Sequence, residues 1–172
     1  DFLKTALAGA LAKAEANTLT RALCVLPPNQ LTPGSFRSLI PAQIKGLDIR
    51  CDTYDVAQLK KMKAGAFLAV AQGSPEQDAA IVRLSYVPRL KPVKRDPKDK
   101  SAPVQLPYVA LVGKGICFDT GGHNLKPARY MAGMHEDMAG AAVALSVIQA
   151  AARLQLPVRI DAWLALSRND IG

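Results

Sequence analysis

The sequence predicts an α/β fold: a parallel-rich central sheet with helices on both faces, preceded by a long helix. Three observations predict it. Residues 108–112 (Tyr-Val-Ala-Leu-Val) form a short, wholly apolar run, the kind that makes a strand covered on both faces. Residues 138–155 are almost all apolar; Ser146, Gln149 and Arg153 fall at i, i+3 and i+7, which suits a buried helix with one narrow polar stripe. Beyond Pro157, residues 158–166 read as a second apolar strand. Strand, glycine-rich loop, buried helix and strand make a βαβ unit, whose strands should be parallel neighbours joined by a right-handed crossover. In such sheets ligands bind beyond the carboxyl ends of the strands. The loop 113–134 and the end 167–172 both lie there.

The earlier elements follow from local signals. Leu3, Ala6, Leu7, Ala10, Leu11 and Ala14 recur at helical spacing, so a helix over about 3–23 with these residues on its apolar face is expected, stopped by Pro27-Pro28-Asn29. Thr32-Pro33 reads as an N-cap followed by proline at the first helical position, opening a helix that Gly46 ends. Residues 47–51 alternate like a short strand, 55–62 read as a short helix, and 66–71 are apolar up to Gly73-Ser74-Pro75. Residues 80–86 alternate again as a strand.

Composition narrows the function classes. Hydrophobic residues make up 49% of the 172, enough for a core, which excludes intrinsic disorder for most of the chain. No apolar run approaches the ~20 residues of a membrane span, so no membrane association is expected. Cys24, Cys51 and Cys117 are scattered, forming neither a disulfide framework nor a metal knuckle, which points to a reducing, cytoplasmic setting. The net charge of +8 invites a nucleic-acid reading, but half of it sits in residues 87–100, and five of the twelve prolines fall between 87 and 107. No aromatic residue lies between Tyr86 and Tyr108 to stack on bases. This stretch reads as a solvated, extended loop. The start at Asp1 and the stop after Arg168-Asn169-Asp170-Ile171 suggest a piece of something longer.

The loop after the first apolar strand holds Lys114, Asp119 and Lys126 among glycines 113, 115, 121 and 122, with Asp137 just ahead of the buried helix. Singly, these are a solvated lysine, a turn former, a surface lysine and an N-cap. Gly113-Lys114-Gly115 lacks the hydroxyl that a phosphate loop needs after its lysine. Asp119-Thr120-Gly121 resembles an aspartic protease motif, but that chemistry needs a second carboxylate of the same kind in an all-β frame, available here only from a second copy.

The whole stretch is specific where its parts are not. Val112-Gly-Lys-Gly-Ile-Cys-Phe-Asp-Thr-Gly-Gly-His-Asn-Leu-Lys-Pro127, followed by Met134-His-Glu-Asp-Met-Ala-Gly-Ala-Ala142, resembles the leucyl (cytosol) aminopeptidase family. The likeness extends upstream to Asn29-Gln30-Leu31-Thr32-Pro33 and Gln72-Gly73-Ser74. It implies that residues 1–28 are an interdomain linker helix and that 29–172 are the amino-terminal part of a metallopeptidase catalytic domain. It also implies the roles: Lys114, Asp119 and Asp137 as ligands of two divalent ions, Asp119 bridging them; Lys126 as the catalytic lysine that polarises the substrate carbonyl; and Met134 in the side-chain pocket. The substrate-binding set is then Met134, Lys126 and Asp119. The ions would be manganese or zinc, with magnesium a third option, and bicarbonate would serve the intact site as proton carrier. The implied partners are a peptide substrate, cleaved at its amino-terminal bond with leucine-like residues preferred, and further copies of the chain in a hexamer.

The chemistry is coherent. Hard divalent ions prefer carboxylate oxygen, and a pair of them makes water nucleophilic near neutral pH. A lysine ligates only as the free amine, which nearby dications favour, whereas Lys126 needs the opposite, an ammonium aimed at developing negative charge. His123 and His135 are read as packed or exposed histidines rather than ligands. Ala139 replaces a usual glycine, and His123-Asn124 a usual Ile-Ser pair. The family's Asn-Thr-Asp-Ala-Glu-Gly-Arg motif, source of two more carboxylates and an arginine, is absent from this sequence. Three ligands do not fill two ions that each take about five or six, so the 172 residues alone are expected to be inactive. The rival reading is a non-catalytic binding or assembly module of the same fold, with the basic stretch on nucleic acid.

Overall fold

The computed structural model describes residues 2–89 and 106–171. In chain order the elements are α1 (Phe2–Cys24), α2 (Pro33–Gln43), β1 (Ile49–Asp55), α3 (Val56–Lys61), α4 (Gly65–Ala71), β2 (Ala80–Tyr86), β3 (Tyr108–Asp119), α5 (Ala128–Met131), a 3₁₀ turn (Met134–Glu136), α6 (Ala139–Arg153) and β4 (Arg159–Asn169). The basic, proline-rich stretch lies mainly at 90–105, outside the described residues. Arg89, at its start, pairs with Asp48.

Local chemistry sets several boundaries. Thr32 caps α2 reciprocally: its Oγ1 accepts from Ser35 N at 3.1 Å while its own N–H donates to Ser35 Oγ at 2.9 Å, with Pro33 at the first helical position. Asp55 does the same for α3 through Gln58, at 2.8 and 3.0 Å. That pairing also ends β1, which runs from Ile49 to Asp55 rather than over 47–51.

The α/β class holds, with helices flanking a four-stranded mixed sheet of order β1-β2-β4-β3. β3 and β4 are parallel neighbours, as the βαβ reading requires; β1–β2 and β2–β4 are antiparallel, so the parallel character is confined to the pair that α6 joins. The core lies on one face. Val82, Leu84 and Tyr86 of β2 alternate with outward residues and register against Leu164, Ala162 and Ile160 of β4. Phe36 and Ile40 of α2 and Ala141, Leu145 and Ile148 of α6 close over them, all essentially shielded from solvent. At the leading end of β4, burial pushes the Asp161 carboxyl up, but hydrogen bonds from Arg83 and Tyr108, both 2.7 Å, help hold it at about 2.

Two expected faces differ in the fold, for one reason: the apolar face of α1 is turned outward, and the polar stripe of the otherwise buried α6 is turned inward. On α1 the residues Leu3, Leu7 and Leu11 are more than half exposed, and the buried positions are Ala12 and Leu23. On α6 Ser146 and Gln149 are buried, while Val143 and Val147 are nearly half exposed. The polar stripe of α6 is where its helical neighbours attach. Thr20 Oγ1 donates to Ser146 Oγ at 2.8 Å, Gln149 Nε2 donates to the Gln43 carbonyl at 2.7 Å, and Arg153 pairs with Glu15 at 2.8 Å. Satisfied hydrogen bonds let Ser146 and Gln149 go inside at little net cost, while the Arg153–Glu15 pair stays at the surface; together these contacts fix which face of α1 is turned inward.

The third difference positions the site. The expected loop from 113 begins as strand, because β3 continues to Asp119. Gly113 and Gly115 are strand residues facing α6. A Cβ on Gly113 would lie 2.6 Å from Ala141 Cα and 2.7 Å from the Gly140 carbonyl oxygen; one on Gly115 would lie 2.7 Å from the Ala165 carbonyl oxygen. Gly140 mirrors this, its missing Cβ falling 2.9 Å from Lys114 N. Glycine inside a strand here marks close backbone approach: it lets the start of α6 settle on β3, which brings the residues just before α6 beside Lys114.

Candidate metal centre

All five residues singled out by the sequence fall in one connected cluster at the carboxyl end of β3. Lys114 projects from β3, and its Nζ straddles the Asp137 carboxylate, 2.7 Å from Oδ1 and 2.6 Å from Oδ2. Asp137 ends the 3₁₀ turn that Met134 begins, its N–H donating to the Met134 carbonyl. Met134 Sδ is 3.3 Å from Lys126 Nζ, and that ammonium pairs with Asp119 Oδ2 at 2.5 Å and donates to the Asp119 carbonyl at 3.2 Å. Each lysine therefore sits on one aspartate, and the two pairs are bridged through Met134.

Asp137 is not the N-cap of α6. That position is Met138, with no side-chain cap bond, so the Asp137 carboxylate is free to face Lys114. Lys126 is not a surface lysine either; its side chain is 27% exposed, enclosed by Asp119 and Met134. Asp119 does make the expected turn, accepting from Gly121 N at 2.9 Å. The turn demands glycine: Gly121 has φ +93°, and a Cβ on it would lie 2.3 Å from the Asn124 carbonyl oxygen. Burial pushes the Asp119 carboxyl up, but hydrogen bonds from Lys126, Gly121 and Asn169 outweigh it and hold the group below the ordinary carboxylate range.

Asn169 is the residue that sequence reasoning missed. It ends β4 next to Asp119 and donates from Nδ2 to Asp119 Oδ1 at 2.7 Å, fifty positions apart in the chain. The available signal was its place at the carboxyl end of a strand of the βαβ unit. His123 is exposed, and His135 lies 3.9 Å from Glu136.

The donors suit a hard divalent ion in kind: two carboxylates and one amine. Asp137 Oδ2 is shielded from water and lies 2.6 Å from the Lys114 ammonium, so this carboxylate is already seated against positive charge of the kind a divalent ion would supply. Burial pushes the Cys117 thiol up to about 12. Among the described residues no cluster of three or more His, Cys, Asp and Glu side chains forms, so the set depends on its lysine and is short in number for two ions. A cleft of about 470 Å³ opens beside the Gly121–Gly122 turn, between α4 and Asn169.

Comparison with known proteins shows the family. Residues 18–172 match the catalytic domain model of the cytosol aminopeptidase family. A "Probable cytosol aminopeptidase" of Clavibacter michiganensis is 40% identical over 169 residues, covering 98% of this chain and 31% of that protein. One of Micrococcus luteus is 39% identical over 142 residues, covering 83% of this chain and 25% of that protein. Among solved structures, the leucyl aminopeptidase of Trypanosoma brucei in complex with bestatin superposes with a TM-score of 0.80 at 35% identity, over 94% of this chain and 28% of that one. The bottromycin maturation enzyme BotP in complex with Mn gives 0.81 at 34% identity, over 96% and 33%. The chain thus spans about a third or less of the length of these relatives. With its catalytic domain model matched over residues 18–172 and its fold shared with solved members, the chain belongs to the cytosol aminopeptidase family.

Proposed function

We propose that these residues form one half of a two-metal aminopeptidase site in a protein that removes amino-terminal residues from peptides, with leucine-like residues preferred. The observation that supports it is the linked pair of ion pairs, Lys114–Asp137 and Lys126–Asp119, joined through Met134. Lys114, Asp119 and Asp137 would hold the ions, manganese or zinc, and the structure of BotP with Mn favours manganese among the relatives named above. Bound there, divalent ions supply Lewis acidity toward the scissile carbonyl and make water nucleophilic near neutral pH.

The chain's own residues do the rest. Lys114 would hold an ion only as the free amine, its proton released to solvent, with the Asp137 carboxylate beside it as a second donor. Lys126 keeps its proton, and its ammonium, fixed between Asp119 and Met134, offers positive charge where the carbonyl oxygen becomes negative. Met134 presents an apolar, adaptable thioether to the substrate side chain. The remaining ligands, the bicarbonate-holding arginine, the amino-terminal domain joined through residues 1–28, the hexamer and a cytoplasmic setting all belong to the whole protein on this reading.

The binding-module alternative gains little. A cleft of about 540 Å³ at the opposite end of the sheet is lined by Arg50, Arg83, Arg89 and Arg159, but the first three are engaged with Asp52, Asp161 and Asp48. An aspartic protease site is excluded by the α/β frame and by the lysine that occupies Asp119.

The test is hydrolysis of Leu-p-nitroanilide by the full-length protein. Activity is expected to vanish on chelation, return with Mn²⁺, and be missing from the 172 residues alone. Turnover that survives complete metal removal would refute the proposal.

A further inference from the structure

We infer that Asn169 is a positioning residue, which sets the pose of the Asp119 carboxylate and so decides which of its oxygens is offered to a cation. The inference rests on the reading of Asp119 as a metal carboxylate. The torsion that turns an aspartate carboxylate has no sharp preference of its own, so its neighbours must impose one. Oδ1 accepts two hydrogen bonds, from Asn169 Nδ2 at 2.7 Å and from Gly121 N at 2.9 Å. Those two donors saturate that oxygen and turn Oδ2 toward Lys126 Nζ at 2.5 Å.

The backbone of Asn169 anchors the same turn. Its carbonyl accepts from both Thr120 N, at 2.9 Å, and Thr120 Oγ1, at 2.7 Å, so the residue after Asp119 is tied to the end of β4. Asn169 faces Asp119 across a register irregularity in the β3–β4 ladder, between Ile116 and Asp119. Irregularities of this kind re-aim a side chain at the end of a strand. The seat is tight: a Cβ on Gly122, φ +63°, would come within 2.9 Å of Asn169 Oδ1.

An amide is the right group for this task. It donates to the carboxylate without adding a positive charge that would compete with a dication. An aspartate there would set like charge against like and favour protonation of Asp119. Carboxylates that bind metals generally need such outer partners to hold their orientation.

Asn169→Ala and Asn169→Leu in the full-length protein test this by Mn²⁺ calorimetry, with thermal unfolding of the metal-free protein measured alongside. Both changes spare the backbone bonds to Thr120. The tightest Mn²⁺ binding is expected to weaken about 10- to 100-fold, the usual cost of removing an outer-shell partner, while the metal-free melting temperature stays put. Should Asn169→Ala bind Mn²⁺ within about threefold of the parent, well below that usual cost, the inference is wrong. It is equally wrong if affinity falls only in step with stability, since Asn169 would then be a structural residue. A parent protein that binds no Mn²⁺ at all would remove the metal reading itself, and this inference with it.

Discussion

Lys126→Gln is expected to lower kcat for Leu-p-nitroanilide by about 10²- to 10³-fold, the cost of losing one preorganised group at a developing oxyanion. KM should change little, because the ammonium acts on charge that appears only in the transition state. Metal binding should move the other way. Lys126 Nζ holds Asp119 Oδ2 at 2.5 Å and competes with any cation for it, so the neutral variant should bind Mn²⁺ as tightly as the parent or more so. The two readouts separate roles that a single activity assay would merge. A variant that keeps most of its kcat would show that Lys126 is only a counter-charge to Asp119. Parallel losses of Mn²⁺ affinity and kcat would show that it only braces the site.

Gly113→Ala is expected to cost roughly 1–3 kcal/mol of stability, as over-packing of a close contact does, and to lower the melting temperature by about 2–12 °C. The added Cβ would lie 2.6 and 2.7 Å from backbone atoms of Ala141 and Gly140, which cannot swing aside as a side chain could. The helix must lift from β3, and the turn carrying Asp137 moves with it away from Lys114. Gly9→Ala is the control. Gly9 lies inside α1 with nothing within 4 Å of the position a Cβ would take, so the change should stabilise by about 0.5–1 kcal/mol through helix propensity. Equal, small effects at both positions in a thermal melt would show that the β3–α6 seam is not the constraint it looks to be.

What the sequence made legible was whatever local chemistry alone decides. Thr32-Pro33 opens α2, β2 runs over 80–86, and the βαβ unit brings β3 and β4 side by side. What it hid was decided by partners far along the chain. Gly113 and Gly115 look like loop residues until α6 is laid on them. α1 carries apolar residues on more than one face, and the buried face was chosen by Ser146 and Arg153, which no periodicity within α1 reveals. Alternation in β1 and β2 fixes which residues point inward but not strand direction, so their antiparallel pairing was invisible.

The candidate site was legible for a different reason. Its residues are crowded into residues 114–137, where a dense motif survives even though each side chain alone looks ordinary. Asn169 escaped because it joins that cluster only through the fold. Asp137 shows how one residue of offset matters: a carboxylate two positions ahead of Ala139 caps nothing in α6 and is left to face Lys114.

The most direct measurement is anomalous diffraction from crystals of the full-length protein grown with Mn²⁺. The prediction is two neighbouring manganese peaks, with Lys114 Nζ and the Asp119 and Asp137 carboxylates among their ligands and the Lys114–Asp137 ion pair replaced by metal bonds. Manganese bound elsewhere, or no ordered manganese with both lysine–aspartate pairs intact, would contradict it.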